Sequence, residues 1–306
     1  MRSLIVKSAI TFYILFIIYK NIDVGQVYLS LLNANPCFVL LSFAMICLHL
    51  IFVGERWRLV LNGFGNRVSR LSLVKIVFAG QFFKQVLPSS ILSDLAKIIL
   101  CRRIGVRLGV AASSTIIDKI IGLSSLWLNV MFLTLLLNLP SQLIQKFILV
   151  SFFAISFYFF VIFISNKIAK INSNKLDSFS FNLFFRIYKA FAGFDLARSN
   201  FILLLIVSVA ANALIVMSVY LIMKAIGVEM AVADFIIYIP LALVMSMIPI
   251  SFGGWGVREA SFIYVFSLNS LSNTDAVATS ITYGLLLTSV SLLGGLFIPT
   301  LKKNET

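Results

Sequence analysis

An all-α integral membrane fold, with six transmembrane helices plus two re-entrant helical hairpins in an inverted repeat, is the fold class this sequence predicts. Three observations point to it. The 306 residues are 60% hydrophobic and 12% charged, with a mean hydropathy of +1.05, whereas a soluble domain is about 45–50% apolar and about 25% charged. Uncharged runs long enough to cross about 30 Å of hydrocarbon recur along the chain. Two further apolar regions are interrupted in their middles by proline and glycine, which a membrane tolerates only where protein or water covers the backbone.

Taken in order, residues 4–19 follow Arg2 and Lys7 in the manner of a signal peptide, but no small-x-small cleavage site follows, so a retained span is expected. Lys7 can snorkel from its end. The second span, 37–53, is slightly short and is bounded by Pro36 and by Glu55-Arg56-Trp57-Arg58. Region 76–100 is split by Pro88 into halves about 18 Å long if helical, neither of which crosses alone, and this predicts the first hairpin. Full crossings follow at 120–139, 147–166 and 199–223. Region 235–271 is split by Pro249 and by Gly253-Gly254-Trp255-Gly256 and forms the second hairpin, or else two short spans with the same topological parity. A last span covers 276–301.

Within a single membrane domain, 1–306, the halves 1–140 and 145–301 each run span, span, hairpin, span and start on opposite faces. Secondary transporters use such inverted repeats, with broken helices meeting near the midplane. Basic residues agree with the scheme. With Arg2 and Lys7 inside, the clusters Arg56, Arg58, Arg67, Arg70 and Lys75, then Arg102, Arg103 and Arg107, the cations of 165–200, and Lys302 and Lys303 all fall on that side. Only Lys20, Lys146 and Lys224 fall outside. The positive-inside rule then gives a multi-pass protein of the cell's inner membrane with both termini cytoplasmic. The 165–200 loop mixes phenylalanines with basic residues, a composition that fits either the interface of anionic lipid or a solvated loop.

The cations left at membrane depth are Lys84, Lys97, Lys119 and Arg258, and the acids are Asp94, Asp118 and Glu259. Each costs at least about 2.5–3.5 kcal/mol in hydrocarbon, so such groups usually face a polar cavity or substrate path. Asp94 and Lys97, three apart on a helix, are expected to pair. Arg258 and Glu259 point about 100° apart and should face different partners, as should Asp118 and Lys119. One positive charge is left over for an anionic ligand. Arg258 offers it a planar fork, and the half-helices after Pro88 and Gly256 offer N-terminal donors. The other reading of the same charges is a salt-bridge network that only locks the hairpins.

Several function classes are excluded. Cations interspersed among apolar runs do not form a nucleic-acid face. Cys37, Cys47 and Cys101 show no CxxC spacing, and with one histidine, His49, there is no metal-ligand set. No P-loop is present, and Ser113 and Ser114 have no base at useful spacing. Neither a cofactor nor enzymatic activity is expected.

The first hairpin reads QFFKQVLPSSILSDLAKIILCRRIGV and is followed by DKIIGL; the second reads IPISFGGWGVREASFIYVF. These segments resemble the lysylphosphatidylglycerol synthase transmembrane region, or flippase-like domain family, whose motifs look like FLPGSxGGDxxR, DRxxGL and PxxPGGxGxRE. Asp94 matches the family acid, Lys97 stands at its usual arginine, and Asp118-Lys119 stand at its Asp-Arg. Gly253, Gly254, Gly256, Arg258 and Glu259 match the last motif outright. Serines stand in place of the family's glycines around 89–93, and lysine for arginine at 97 and 119 weakens bidentate phosphate contact there. The resemblance implies a stand-alone membrane member without the aminoacyl-transferase domain of two-domain relatives, one that flips or binds lipid.

The expected function is therefore a lipid translocator that moves an anionic phospholipid or lipid-linked phosphate headgroup between leaflets. The ligand site would draw on Lys84, Asp94, Lys97, Asp118, Lys119, Gly253, Gly254, Gly256, Arg258 and Glu259. The alternative is a non-transporting accessory subunit whose partner is a glycosyltransferase or lipid-synthesis enzyme. No GxxxG face indicates an oligomeric state.

Overall fold

The computed structural model of the chain describes residues 2–20, 22–87, 90–136, 194–195, 198–247, 251 and 253–301. Within them every regular element is helical: α1 (Arg2–Lys20), α2 (Val24–Leu32), α3 (Pro36–Gly63), α4 (Arg70–Val86), α5 (Ser90–Arg103), α6 (Leu108–Leu136), α7 (Phe201–Ala225), α8 (Val232–Ser246), α9 (Val257–Ser267) and α10 (Asn273–Phe297), closed by a 3-10 turn, Ile298–Thr300. Polar caps set the starts. Asp23, Asn35, Ser69, Asn200 and Ser272 each accept a backbone N–H from the first turn of the helix that follows. Pro36 occupies the first turn of α3, where its missing N–H leaves no bond unmade.

Pro36–Gly63, Phe201–Ala225 and Asn273–Thr300 are long and apolar enough to cross a membrane, and a fourth crossing arises if Ser8–Lys20 and Val24–Leu32, which meet at 90°, count as one span. Apolar side chains on their outer faces stay uncovered, among them Phe12, Leu40, Ile202 and Leu296, each more than two-thirds exposed. In hydrocarbon that exposure carries no penalty. The expected span at 147–166, most of the 165–200 loop, Pro88 and Pro249 lie outside the described residues.

Three boundaries differ from the sequence reading. Helix α3 runs on to Gly63 rather than stopping near 53, because Glu55 pairs with Arg58 one turn later and with Arg70, and Arg56 turns inward. The helix expected at 120–139 starts back at Leu108, its early charges being neutralised by partners described below. Helix α2, started by Asp23, was not foreseen as a separate element.

Helices α3 and α7 run antiparallel. Ser42 donates to the Ser218 carbonyl at 2.9 Å and the His49 Nδ1 donates to the Ala211 carbonyl at 2.8 Å, so residue numbers rise along one helix as they fall along the other. Helix α6 packs against both α3 and α7, and Asn129 donates to the Val209 carbonyl of α7. The two broken regions each fold into a pair of short helices packed on one another, α4 with α5 and α8 with α9. The interior between them is filled by Ile46, Val60, Ile76, Ile239, Phe262 and Phe266, all essentially inaccessible.

Glycine permits the closest of these approaches. A Cβ on Gly294 of α10 would overlap the Phe78 carbonyl of α4, and one on Gly54 of α3 would lie 3.0 Å from the Val74 Cα. With lipid as apolar as leucine, such backbone proximity is what holds helices together in a membrane. Replacing Gly294 with alanine should therefore destabilise the purified protein by about 1–3 kcal/mol. Gly109→Ala, where a Cβ meets nothing within 4 Å, should leave thermal unfolding unchanged.

Candidate functional site

At the second hairpin the chain enters α9 through Gly253, Gly254 and Gly256, with φ of +60°, +84° and +86°. Side chains bearing a Cβ rarely adopt this region, so the glycines are required by the turn itself. Glu259, in the first turn of α9, folds back so that its Oε2 accepts the Gly256 N–H at 2.5 Å. Its Oε1 accepts from Arg258 Nε and Nη2 at 3.1 and 2.9 Å and from the Ser280 hydroxyl of α10 at 3.1 Å. The Arg258 guanidinium lies 4.3 Å from the Trp255 ring centroid, a cation–π contact. Opposite it stands Gly284, where a Cβ would fall inside the guanidinium.

This corrects the expectation that Arg258 and Glu259 face different partners. They pair with each other, because capping the helix swings the carboxylate back over the preceding turn. Both side chains are fully enclosed, 4% and 2% exposed. The backbone donor at Gly256 is likewise taken by the protein's own carboxylate and is not free for a ligand.

At the first hairpin the pairing also differs from the i,i+3 expectation. Asp94 of α5 receives an ion pair from Lys119 of α6, not from Lys97. Lys97 lies with its stem across Gly80 of α4, where a Cβ would collide with three of its carbons, and Asp94 is bridged by Lys119 instead. Asp118 is held by Arg56 of α3 in a two-pronged bridge of 2.7 and 3.1 Å, buried on both sides. Arg56 packs against Gly122, whose Cβ would come within 3.0 Å of its guanidinium nitrogens. Asn212 of α7 donates to the Gly122 carbonyl and to Ser125, and Trp57 donates to Ser114, fixing the same corner. As expected, Asp118 and Lys119 do have separate partners.

Arg56 was assigned from sequence to the cytoplasmic face, and its role was missed. Its signal was the position of Gly122 one turn beyond Asp118, which becomes readable only once α3 and α6 are known to touch. Including it changes the charge count. Five cations (Arg56, Lys84, Lys97, Lys119 and Arg258) stand with three acids. The acids are all consumed by Arg56, Lys119 and Arg258, and among the described residues no carboxylate lies within ion-pair distance of Lys84 or Lys97.

The two hairpins meet beside these lysines. A Cβ on Gly253 would lie 3.4 Å from Gln85 Oε1, one residue after Lys84. Lys84, exposed at the end of α4, is within electrostatic reach of Lys97, Lys119, Arg258 and Asp94. The Ser251 hydroxyl, at the same turn, is buried without a hydrogen-bond partner among the described residues. An apolar cavity of about 420 Å³ between α6, α7 and α8 and a polar one of about 390 Å³ beside Arg67 and Lys75 share no lining residue with this cluster. Among the described residues no group of histidine, cysteine and carboxylate side chains is placed to hold a metal.

Substituting Arg258→Met leaves Glu259 buried and unpaired and should cost about 3–5 kcal/mol of stability. Adding Glu259→Gln should recover most of that loss. Thermal unfolding of the two variants in detergent checks it; equal loss in the single and double variants would mean that the two side chains do not act as a pair.

The resemblance seen in the hairpin motifs extends along the chain. A protein named UPF0104 membrane protein, from Methanothermobacter thermautotrophicus, is 22% identical over 307 residues, an alignment covering 92% of this chain and 88% of that one. The family model described as the lysylphosphatidylglycerol synthase TM region matches residues 4–295. Membrane-length helices and a match of that extent carry one conclusion: this chain is a multi-pass membrane protein and belongs to the lysylphosphatidylglycerol synthase TM region family.

Proposed function

We propose that the protein is a lipid translocator that carries an anionic headgroup between leaflets past the meeting point of its two hairpins. The observation that supports this most is that, among the described residues, Lys84 and Lys97 have no carboxylate within ion-pair distance although three closed ion pairs surround them. Ion pairs alone would serve a purely structural lock. Two extra cations at membrane depth serve it badly, and they mark a place where an anion is received. The family's tie to a lipid-modifying enzyme supports a lipid as the source of that anion.

The architecture proposed with it is six crossings and two re-entrant hairpins in an inverted repeat, with halves at 1–140 and 145–301, in the cell's inner membrane with cytoplasmic termini. The repeat of order in α3, α4–α5, α6 and α7, α8–α9, α10 supports it. So does the antiparallel packing of α3 on α7, since inverted halves place equivalent helices in opposite directions. The short helices of each broken region, about 17–26 Å long at 1.5 Å per residue, suit entry and return from one face.

In this reading the three closed pairs shape the path and the two lysines bind. Among the described residues there is no sign of a nucleotide site, so transport either equilibrates the lipid or draws on an ion gradient or the membrane potential, worth about 2.3 kcal/mol per charge per 100 mV.

Reconstitution in liposomes, with leaflet exchange followed for labelled phospholipids and polyprenyl phosphates, tests this. At least one anionic class should exchange, and Lys84→Met or Lys97→Met should slow it about tenfold or more. Absence of exchange for every lipid, with and without an imposed potential or pH gradient, would favour instead an accessory subunit of a lipid-modifying or glycosyltransferase system.

A further inference from the structure

We infer that the group received between Lys84 and Lys97 carries two negative charges, as a phosphate monoester or a diphosphate does, rather than the single charge of the phosphodiester in ordinary phospholipids. The inference rests on the proposed function for its lipid source and for the depth of the two lysines.

Arg56 with Asp118, Lys119 with Asp94 and Arg258 with Glu259 each close to neutrality, and what remains is a surplus of two positive charges on Lys84 and Lys97. The stem of Lys97 lies across Gly80, one helical turn before Lys84 on α4, which brings the two lysines to one face of that helix. A phosphodiester would neutralise one and leave the other uncompensated at membrane depth, whereas a dianion satisfies both. A headgroup with a net positive charge would add to the surplus.

The shape of the donors agrees. Arg258, at the turn of the second hairpin, has its fork spent on Glu259 and its face on Trp255, so it offers no planar two-pronged clamp. Lysine ammonium groups on flexible stems are point charges with three rotatable donors, suited to the several equivalent oxygens of a terminal phosphoryl group. With a second pKa near about 6, such a group is a dianion at neutral pH and above.

The test uses the full-length purified protein in detergent at pH 7. Binding is measured by native mass spectrometry and by thermal shift, for phosphatidic acid, phosphatidylglycerol and phosphatidylcholine of matched acyl chains, and for inorganic phosphate. Phosphatidic acid should bind about tenfold or more tightly than phosphatidylglycerol, the worth of one further charge-assisted hydrogen bond. Lys84→Met and Lys97→Met should each bring that ratio close to one. Because neither lysine has an ion-pair partner among the described residues, the ligand-free variants should melt no lower than wild type, which separates lost binding from lost folding.

Equal affinity for phosphatidic acid and phosphatidylglycerol, or a preference that survives both substitutions, overturns the inference. If inorganic phosphate competes as well as phosphatidic acid, the dianion site holds and its source is aqueous, so the translocator reading falls. The same division follows if phosphatidic acid is preferred but no lipid exchanges in liposomes. Exchange of all anionic lipids alike, with no preference in binding, keeps the translocator and removes the dianion site.

Discussion

A charge taken out of water must be met by an opposite charge, and much of what is distinctive in this molecule follows from three ion pairs, two of them buried. Arg56 reaches from α3 to Asp118 of α6, Lys119 of α6 reaches to Asp94 of α5, and Arg258 closes on its own neighbour Glu259. The first joins the long helices α3 and α6, the second ties α5 to α6, and the third fixes the turn into α9. They are weak grounds for overall stability, since two buried ions give up much hydration to gain each other. Their worth lies in geometry: a wrong register would strand a charge.

Each buried arginine is accommodated by an absence. Gly122 faces Arg56 and Gly284 faces Arg258, and at both a single methyl group would overlap the guanidinium or press hard against it. Gly80 does the same for the stem of Lys97. Small residues at helix contacts are usually explained by backbone approach, as at Gly294 against Phe78. Here a second use appears, in which the missing side chain makes room for a long cationic one from the neighbouring helix.

Composition and uncharged runs were enough to read the chain as a helical membrane protein, and Pro88 and the Gly253–Gly256 run were enough to place both helix breaks. The glycines at the second turn were legible for a physical reason, since only glycine accepts the positive φ found there. The ion pairs were not legible. Spacing along one helix proposed Asp94 with Lys97 and separated Arg258 from Glu259, and both inferences failed because the deciding contacts come from elsewhere: Lys119 on another helix, the N–H of Gly256, and Ser280 and Gly284 on α10. Arg56 was hidden by the company it keeps. It sits between Glu55 and Arg58, which pair at the helix end, and nothing in that short run says that the middle charge turns inward.

The two arginine bridges also differ in how far apart their partners lie in sequence. Arg258 and Glu259 are neighbours and emerge from the ribosome together, so the second turn can enter the bilayer already neutralised. Arg56 precedes Asp118 by 62 residues, so during synthesis its counter-ion arrives only with α6. The bridge of Arg56 thereby depends on a helix made later in the chain, while Arg258 carries its own counter-ion with it.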